Sequence, residues 1–156
     1  MKWNELSDQH CSLARSLAVL GDRWTLMILR DAFLRVRRFD DFQARLGIAR
    51  RVLHERLAGL VEAGVLEKVP YQERPLRHEY RLTQKGLDLY PVILSLVHWG
   101  DTHYAGEDGP PVRFRHKSCG HTVEPVLTCS CCQETLRPRE VQPEFSEALK
   151  LALKTA

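Results

Sequence analysis

The stretch from Gly21 to Lys68, GDRWTLMILRDAFLRVRRFDDFQARLGIARRVLHERLAGLVEAGVLEK, decides the fold of this 156-residue chain. Asp22 is a good N-cap, and the helix it starts runs through Trp24 and Leu29 to about Leu34. Leu26, Met27, Ile28 and Leu29 are contiguous, which predicts a helix buried nearly all round. The basic cluster Arg35, Arg37 and Arg38 opens a short third helix with Phe39, Phe42 and Leu46 at helical spacing. After a turn at Gly47 and Ile48, a fourth helix spans Ala49 to Ala63 with Leu53, Leu57, Leu60 and Val61 on one face. At ~100° per residue, Arg51, His54, Glu55 and Ala58 fall on the opposite face, with Arg50 at its flank. A short helix, a tight turn and a second helix with a polar stripe form a helix-turn-helix arrangement.

Upstream, Leu13, Leu17, Val19 and Leu20 mark a first helix. Downstream, Gly64 stops the fourth helix, Val65 to Val69 reads as a strand, and Arg77 to Thr83 alternates like its partner. The intervening Pro70 to Leu76 carries two prolines, which are expected to discourage ladder pairing and leave a projecting tip. A hairpin directly after a recognition helix is a wing. Thr83 caps a further helix, Gln84 to about Gly100, in which Pro91 is expected to produce a kink. Leu87, Tyr90, Ile93, Leu94, Val97 and Trp99 give that helix more apolar surface than one face can bury. The surplus, with that of the first helix, predicts a second subunit, and DNA half-sites related by the same two-fold axis.

The expected fold class is therefore mostly α with a small β-wing, an α+β winged helix-turn-helix, followed by a small Cys-rich C-terminal extension. Residues 1–104 form the DNA-binding and dimerisation domain, 105–111 (AGEDGPP) a linker, 112–142 a zinc-ribbon-like extension, and 143–156 a tail. In the tail Phe145, Leu149 and Leu153 recur every four residues, the spacing of a short helix.

Composition narrows the function. With 44% apolar and 28% charged residues, no apolar run of membrane-spanning length and no basic-then-apolar start, the chain reads as a cytoplasmic protein without membrane contact. The net charge of +3 conceals a local excess: between Asp22 and Lys85 there are 14 Lys and Arg against 9 Asp and Glu. Such a concentration suits an anionic partner or, more blandly, a solvated basic surface. An enzyme is not expected. Glu124 lies three residues beyond His121 and Thr128 precedes Cys129, so the zinc-deaminase pattern is missing, and neither a phosphate cradle nor a Ser-His-Asp order stands out.

The strings LGDRWTLMILRDAF, RRFDDFQARLGIARRVLHERLAGLVEAGVLEK, PYQERPLRHEYRLTQKG and HWGD, spread over roughly Cys11 to Thr102, make the sequence similar to HxlR-type bacterial transcriptional regulators, relatives of the MarR-like winged helices. The resemblance implies a dimeric DNA-binding repressor or activator without catalytic activity. It places the recognition helix at Arg50, Arg51, His54 and their neighbours, Glu55 among them, and the wing at Gln72 through Arg77. Within those segments Arg51 and His54 are the expected base readers, since bidentate Arg to guanine is the commonest specific contact. Arg38, Arg74, Arg77 and Lys85 are expected on phosphates. Arg56 lies nearer the buried face and either joins them or pairs with a carboxylate.

Five cysteines without a signal segment argue against a disulfide framework. Cys11 matches an N-terminal cysteine with which several members of the resembled family sense quinones, aldehydes or oxidants, and His10 and Arg15 stand near it. The alternative is a small buried residue at a helix start. His116-Lys-Ser-Cys119 and Cys129-Ser-Cys-Cys132 are two x2-spaced pairs that suit one zinc ion held by a histidine and three cysteines. His121 competes with His116, Cys131 is an extra thiol, and a metal-free knuckle or a disulfide-forming module remains open. The expected function is thus a sequence-specific, homodimeric DNA-binding repressor, responsive to thiol chemistry or a small ligand. The alternative is a zinc-ribbon and winged-helix adaptor that binds protein and not specific DNA.

Overall fold

The computed structural model describes residues 9–154, with side chains through residue 150, so Leu153 of the tail pattern lies outside the described side chains. The chain divides into two compact units, Met1–Ile93 and Leu94–Ala156. In the first unit, α1 (Ser12–Leu20) follows Cys11, and α2 (Arg23–Phe33) starts at Asp22, whose Oδ1 accepts from the backbone N–H of Trp24 at 2.9 Å and of Thr25 at 3.3 Å. α2 packs on all its neighbours, yet it is not buried all round. Thr25, Ile28, Leu29, Asp31 and Ala32 are buried, whereas Met27 is exposed and Leu26 half-buried. Four contiguous apolar residues sweep the whole circumference of a helix, more than α1, the following two helices and the second strand can cover.

α3 (Phe39–Leu46) ends in Gly47 at φ +61°, a left-handed C-cap whose N–H donates to the Gln43 carbonyl at 2.9 Å. Ile48 tucks under the turn, 4% exposed, and α4 (Arg50–Glu62) follows. Phe42 of α3, Leu53, Leu57 and Leu60 of α4, and Ile28 and Leu29 of α2 form the core with Val65 and Leu66. Each such side chain contributes about 1.5–3 kcal/mol through burial, which fixes the angle between the two helices of the turn.

β1 (Leu66–Glu73) and β2 (Leu76–Leu82) pair antiparallel, from Leu66↔Leu82 to Glu73↔Leu76. The expected loop Pro70 to Leu76 is therefore mostly ladder, and the projecting tip shrinks to Arg74 and Pro75. A two-stranded ribbon has an outer edge on each strand, so Pro70 sits opposite His78 without breaking the ribbon, and a bulge between Pro70 and Gln72 absorbs the irregularity. The segment before α3 adds a short third rung: Arg38 bridges Glu79, and the Tyr80 N–H donates to the Arg37 carbonyl at 2.7 Å.

Thr83 caps α5 (Gln84–Leu87), its hydroxyl accepting from the Gly86 N–H at 3.1 Å. The expected kinked helix is instead two helices, because α5 stops at Leu87 and α6 (Tyr90–Tyr104) starts anew. Pro91 occupies the first turn of α6, where its missing N–H would have no helical partner in any case. The division between the units falls within α6, and residues 105–111 form neither helix nor strand. In the second unit, α6 residues Leu94 and His98 share a small cavity of about 210 Å³ with Val112, Phe114 and Val123, and the tail carries α7 (Glu147–Lys154).

Candidate nucleic-acid interface

α4 presents its polar stripe as the period requires. Arg51 is 91% exposed, with its Nε 2.9 Å from Glu55 Oε1 one turn on, and His54 is exposed with no hydrogen-bond partner among the described residues. An exposed i,i+4 pair holds its side chains by only about 0.3–0.5 kcal/mol, so Arg51 is displayed rather than locked. Arg50 is different. Its guanidinium meets Asp40 Oδ1 at 3.1 Å and Gln43 Oε1 at 2.8 Å and stacks 4.8 Å from the Phe39 ring centre, tying the start of α4 to α3.

The wing stands beside this helix in the same unit. Gln72 Nε2 donates to the Arg74 carbonyl at 3.0 Å and steadies the tip, while Arg74 and Arg77 are exposed and make no ion pair among the described residues. Arg38 lies 4.5 Å from the Tyr71 ring centre and 3.8 Å from Glu79 Oε1. Glu79, only 15% exposed, also receives Arg81 at 3.0 Å and Arg37 at 3.9 Å. Tyr71 and Glu79 are the residues that sequence reasoning missed. Once the hairpin register is known they become legible, since Glu79 faces the Arg38 bridge and Tyr71 sits at the bulge. Lys85, expected on phosphate, donates from Nζ to the Ala63 carbonyl at 2.8 Å and closes the end of α4, with two ammonium protons left over.

Arg56 pairs with a carboxylate, its Nε 2.9 Å from Asp22 Oδ1, although that contact lacks hydrogen-bond alignment. Asp22 thus caps α2 and holds α4 with one oxygen. An open groove of about 840 Å³ lies between α1, α2 and α4, lined in part by Leu17, Thr25, Arg56 and Leu60. Beneath the wing, burial pushes the Tyr80 hydroxyl pKa above its ordinary value.

Cys11 is exposed in the single chain, at the N-cap of α1, and makes no cap hydrogen bond. Of the C-terminal candidates, Cys119 Sγ lies 3.4 Å from His116 Nδ1. Hydrogen bonds from the backbone of Cys132, then of Cys131, and from the Cys132 side chain hold the Cys129 thiol below the ordinary thiol value. The four side chains are not gathered: among the described residues no three His, Cys, Asp or Glu groups are placed to hold an ion.

Three packed helices, a left-handed glycine turn, an exposed basic helix and an adjoining two-stranded ribbon define a winged helix-turn-helix protein. Its class is that of transcriptional regulators. Residues 19–108 match the HxlR-like helix-turn-helix family, and the chain belongs to it. A Mycobacterium tuberculosis relative, an uncharacterised HTH-type transcriptional regulator, is 46% identical over 142 residues, covering 91% of this chain and 90% of the relative. A crystal structure of the transcription factor candidate PA1607 is 34% identical, superposes with a TM-score of 0.81, and covers 90% of this chain and 98% of its own. The redox regulator HypR in its reduced form is 26% identical at a TM-score of 0.55, over 59% of this chain and 92% of its own. The relatives are named as HTH-type transcriptional regulators, and among the described residues no helix is long and apolar enough to cross a membrane.

Proposed function

We propose that this protein is a homodimeric, sequence-specific repressor that binds double-stranded operator DNA in the cytoplasm. The observation that carries this reading is the display of Arg51 and His54 on α4 beside a basic wing, with every other basic group of α4 committed to holding the helix. In this reading α4 enters the major groove, where Arg51 and His54 contact base edges with Glu55 orienting the arginine. Arg38, Arg74 and Arg77, with Gln72 shaping the tip and Lys85 at the end of α4, contact phosphates. Arg50 supports the reading helix from α3.

A second copy covers exposed apolar side chains on α1 and α6: Leu13 and Leu17 on the first, Val92, Leu96 and Trp99 on the second. Leu96→Glu is therefore expected to give a monomer by light scattering and to weaken operator binding. Residues 1–104 serve DNA binding and dimerisation, 105–111 link, 112–142 form an appended Cys-rich extension and 143–156 a tail. The groove between α1, α2 and α4 offers a place for a small-molecule effector. Exposed Cys11 offers a site for electrophile or oxidant sensing, a kind of regulation that the name of HypR also carries.

The test is a fluorescence-anisotropy titration against the promoter upstream of its own gene and against a scrambled duplex, at two salt concentrations, with and without diamide. Binding that prefers the promoter and weakens steeply with salt supports the reading. Loss of binding with diamide that Cys11→Ser abolishes supports the sensor. Equal, weak, salt-insensitive binding to both duplexes would favour the protein-binding adaptor.

A further inference from the structure

Among the described residues, the segment after the linker builds defined turns but fully buries no side chain. Val112, Val126, Leu127, Leu136 and Val141 are all exposed. Two of its turns nevertheless share one construction. In the first, the His116 N–H donates to the His121 carbonyl at 2.9 Å, the Gly120 N–H returns to the His116 carbonyl at 2.7 Å, and Gly120 stands at φ +74°. In the second, thirteen residues on, the Cys129 N–H donates to the Glu134 carbonyl at 2.8 Å, the Gln133 N–H returns to the Cys129 carbonyl at 2.9 Å, and Gln133 stands at φ +63°. The flanking bridges, Arg115↔Thr122 and Thr128↔Thr135, keep the same offset.

A left-handed conformation is uncommon for a side chain such as Gln133, so its recurrence at the matching position marks a turn of fixed purpose. Each turn carries a metal-type donor at its first and fourth positions: His116 with Cys119, and Cys129 with Cys132. The 3.4 Å between His116 Nδ1 and Cys119 Sγ is close to the separation of about 3.6 Å expected for nitrogen and sulfur on one tetrahedral ion with bonds of about 2.0–2.3 Å. The Cys132 side chain and the backbone of Cys131 and Cys132 direct hydrogen bonds at the Cys129 sulfur, so the second turn gathers around its first donor as the first turn does. The repeat also separates ligands from bystanders. His121 corresponds to Glu134, and Cys131 to Ser118, so neither occupies a donor position of the turn.

We propose that His116, Cys119, Cys129 and Cys132 bind one zinc-type divalent ion by closure of the two turns on each other. The ion replaces the missing core, since three thiolates and an imidazole select a soft tetrahedral metal and the binding energy folds the segment around it. Because the four groups are not gathered in this structure, binding and closure are one event.

The test uses the full-length chain, free of any tag, produced with zinc supplied and then stripped with chelator under reductant and refilled with cobalt(II). One zinc per chain as isolated, and tetrahedral cobalt absorption with charge-transfer intensity for three thiolates, are expected. Cys129→Ser and Cys119→Ser should each fall from one equivalent to none, while Cys131→Ser, His121→Ala and Cys11→Ser keep one. The cobalt spectrum of the unmutated chain decides the matter even if a serine variant fails to fold. No cobalt spectrum, undiminished binding by Cys129→Ser, loss in Cys131→Ser, or a metal-free chain with a Cys129–Cys132 disulfide would overturn the proposal. None of these outcomes bears on DNA binding by the first unit.

Discussion

Arg45 on α3 reaches back to Asp31 on α2, its Nε 3.3 Å from Oδ2 of a carboxylate with no exposed surface. Arg30 grips the other oxygen of the same group at 2.7 and 2.9 Å. The pair spans the first helix of the DNA-reading turn and the helix behind it, so a buried charge sets where α3 lies. Both arginines keep contact with water, which confines the desolvation cost to Asp31.

Asp31→Asn, equal in size but uncharged, should destabilise the protein by about 1.5–3 kcal/mol, the range for hydrogen bonds to charged groups. A urea unfolding midpoint at fixed protein concentration measures it, since the stability of the proposed dimer would depend on concentration. An unchanged midpoint would show that the carboxylate charge is not used.

Two glycines should respond to alanine with opposite signs. Gly86 is buried, and a Cβ there would strike the Val65 carbonyl oxygen and come within 2.9 Å of Leu82 Cδ2, so Gly86→Ala should cost about 1–3 kcal/mol by overpacking. Gly59 lies inside α4 with open space around it, and Gly59→Ala should stabilise by about 0.5–1 kcal/mol. Thermal unfolding of both variants checks the contrast.

Arg51→Ala should lose about 1–3 kcal/mol on the operator and relax base preference there. Arg38→Ala should weaken specific and random duplexes alike and reduce the salt slope by about 1. Equal losses on both duplexes for Arg51→Ala would remove it from base reading.

Because burial raises the Tyr80 pKa above the usual tyrosine value of about 10, the folded state holds that proton more tightly than the unfolded chain. This contribution is fully present below about pH 10 and is lost as pH rises through the folded value. Tyr80 should ionise above the usual tyrosine range in a spectrophotometric titration, and Tyr80→Phe should abolish that late step.

Much of the interface is periodic and hence readable. Leu53, Leu57 and Leu60 at helical spacing place Arg51 and His54 on the far side of α4 by arithmetic alone, and Asp22 announces the start of α2 by its capping chemistry. The wing was less legible. Two prolines in Pro70 to Leu76 suggest an open loop, but whether proline is tolerated depends on which edge its nitrogen faces, a property of the pairing and not of the residue. Pro91 shows the same limit, since a proline in a first helical turn and one in a helix interior look alike until the break at Leu87 is known.

The sequence by itself determined the helix-turn-helix and the wing that follows it, because these depend on spacing within a few residues. Only the tertiary structure decided that Arg50 and Arg56 hold α4 while Arg51 and His54 are displayed, that Arg38 rests between Tyr71 and Glu79, and that Asp31 is a buried anchor. The reason is physical. A guanidinium has the same charge on a phosphate as on a carboxylate, and its partner is set by which acidic groups the packed helices and strands bring within about 4 Å.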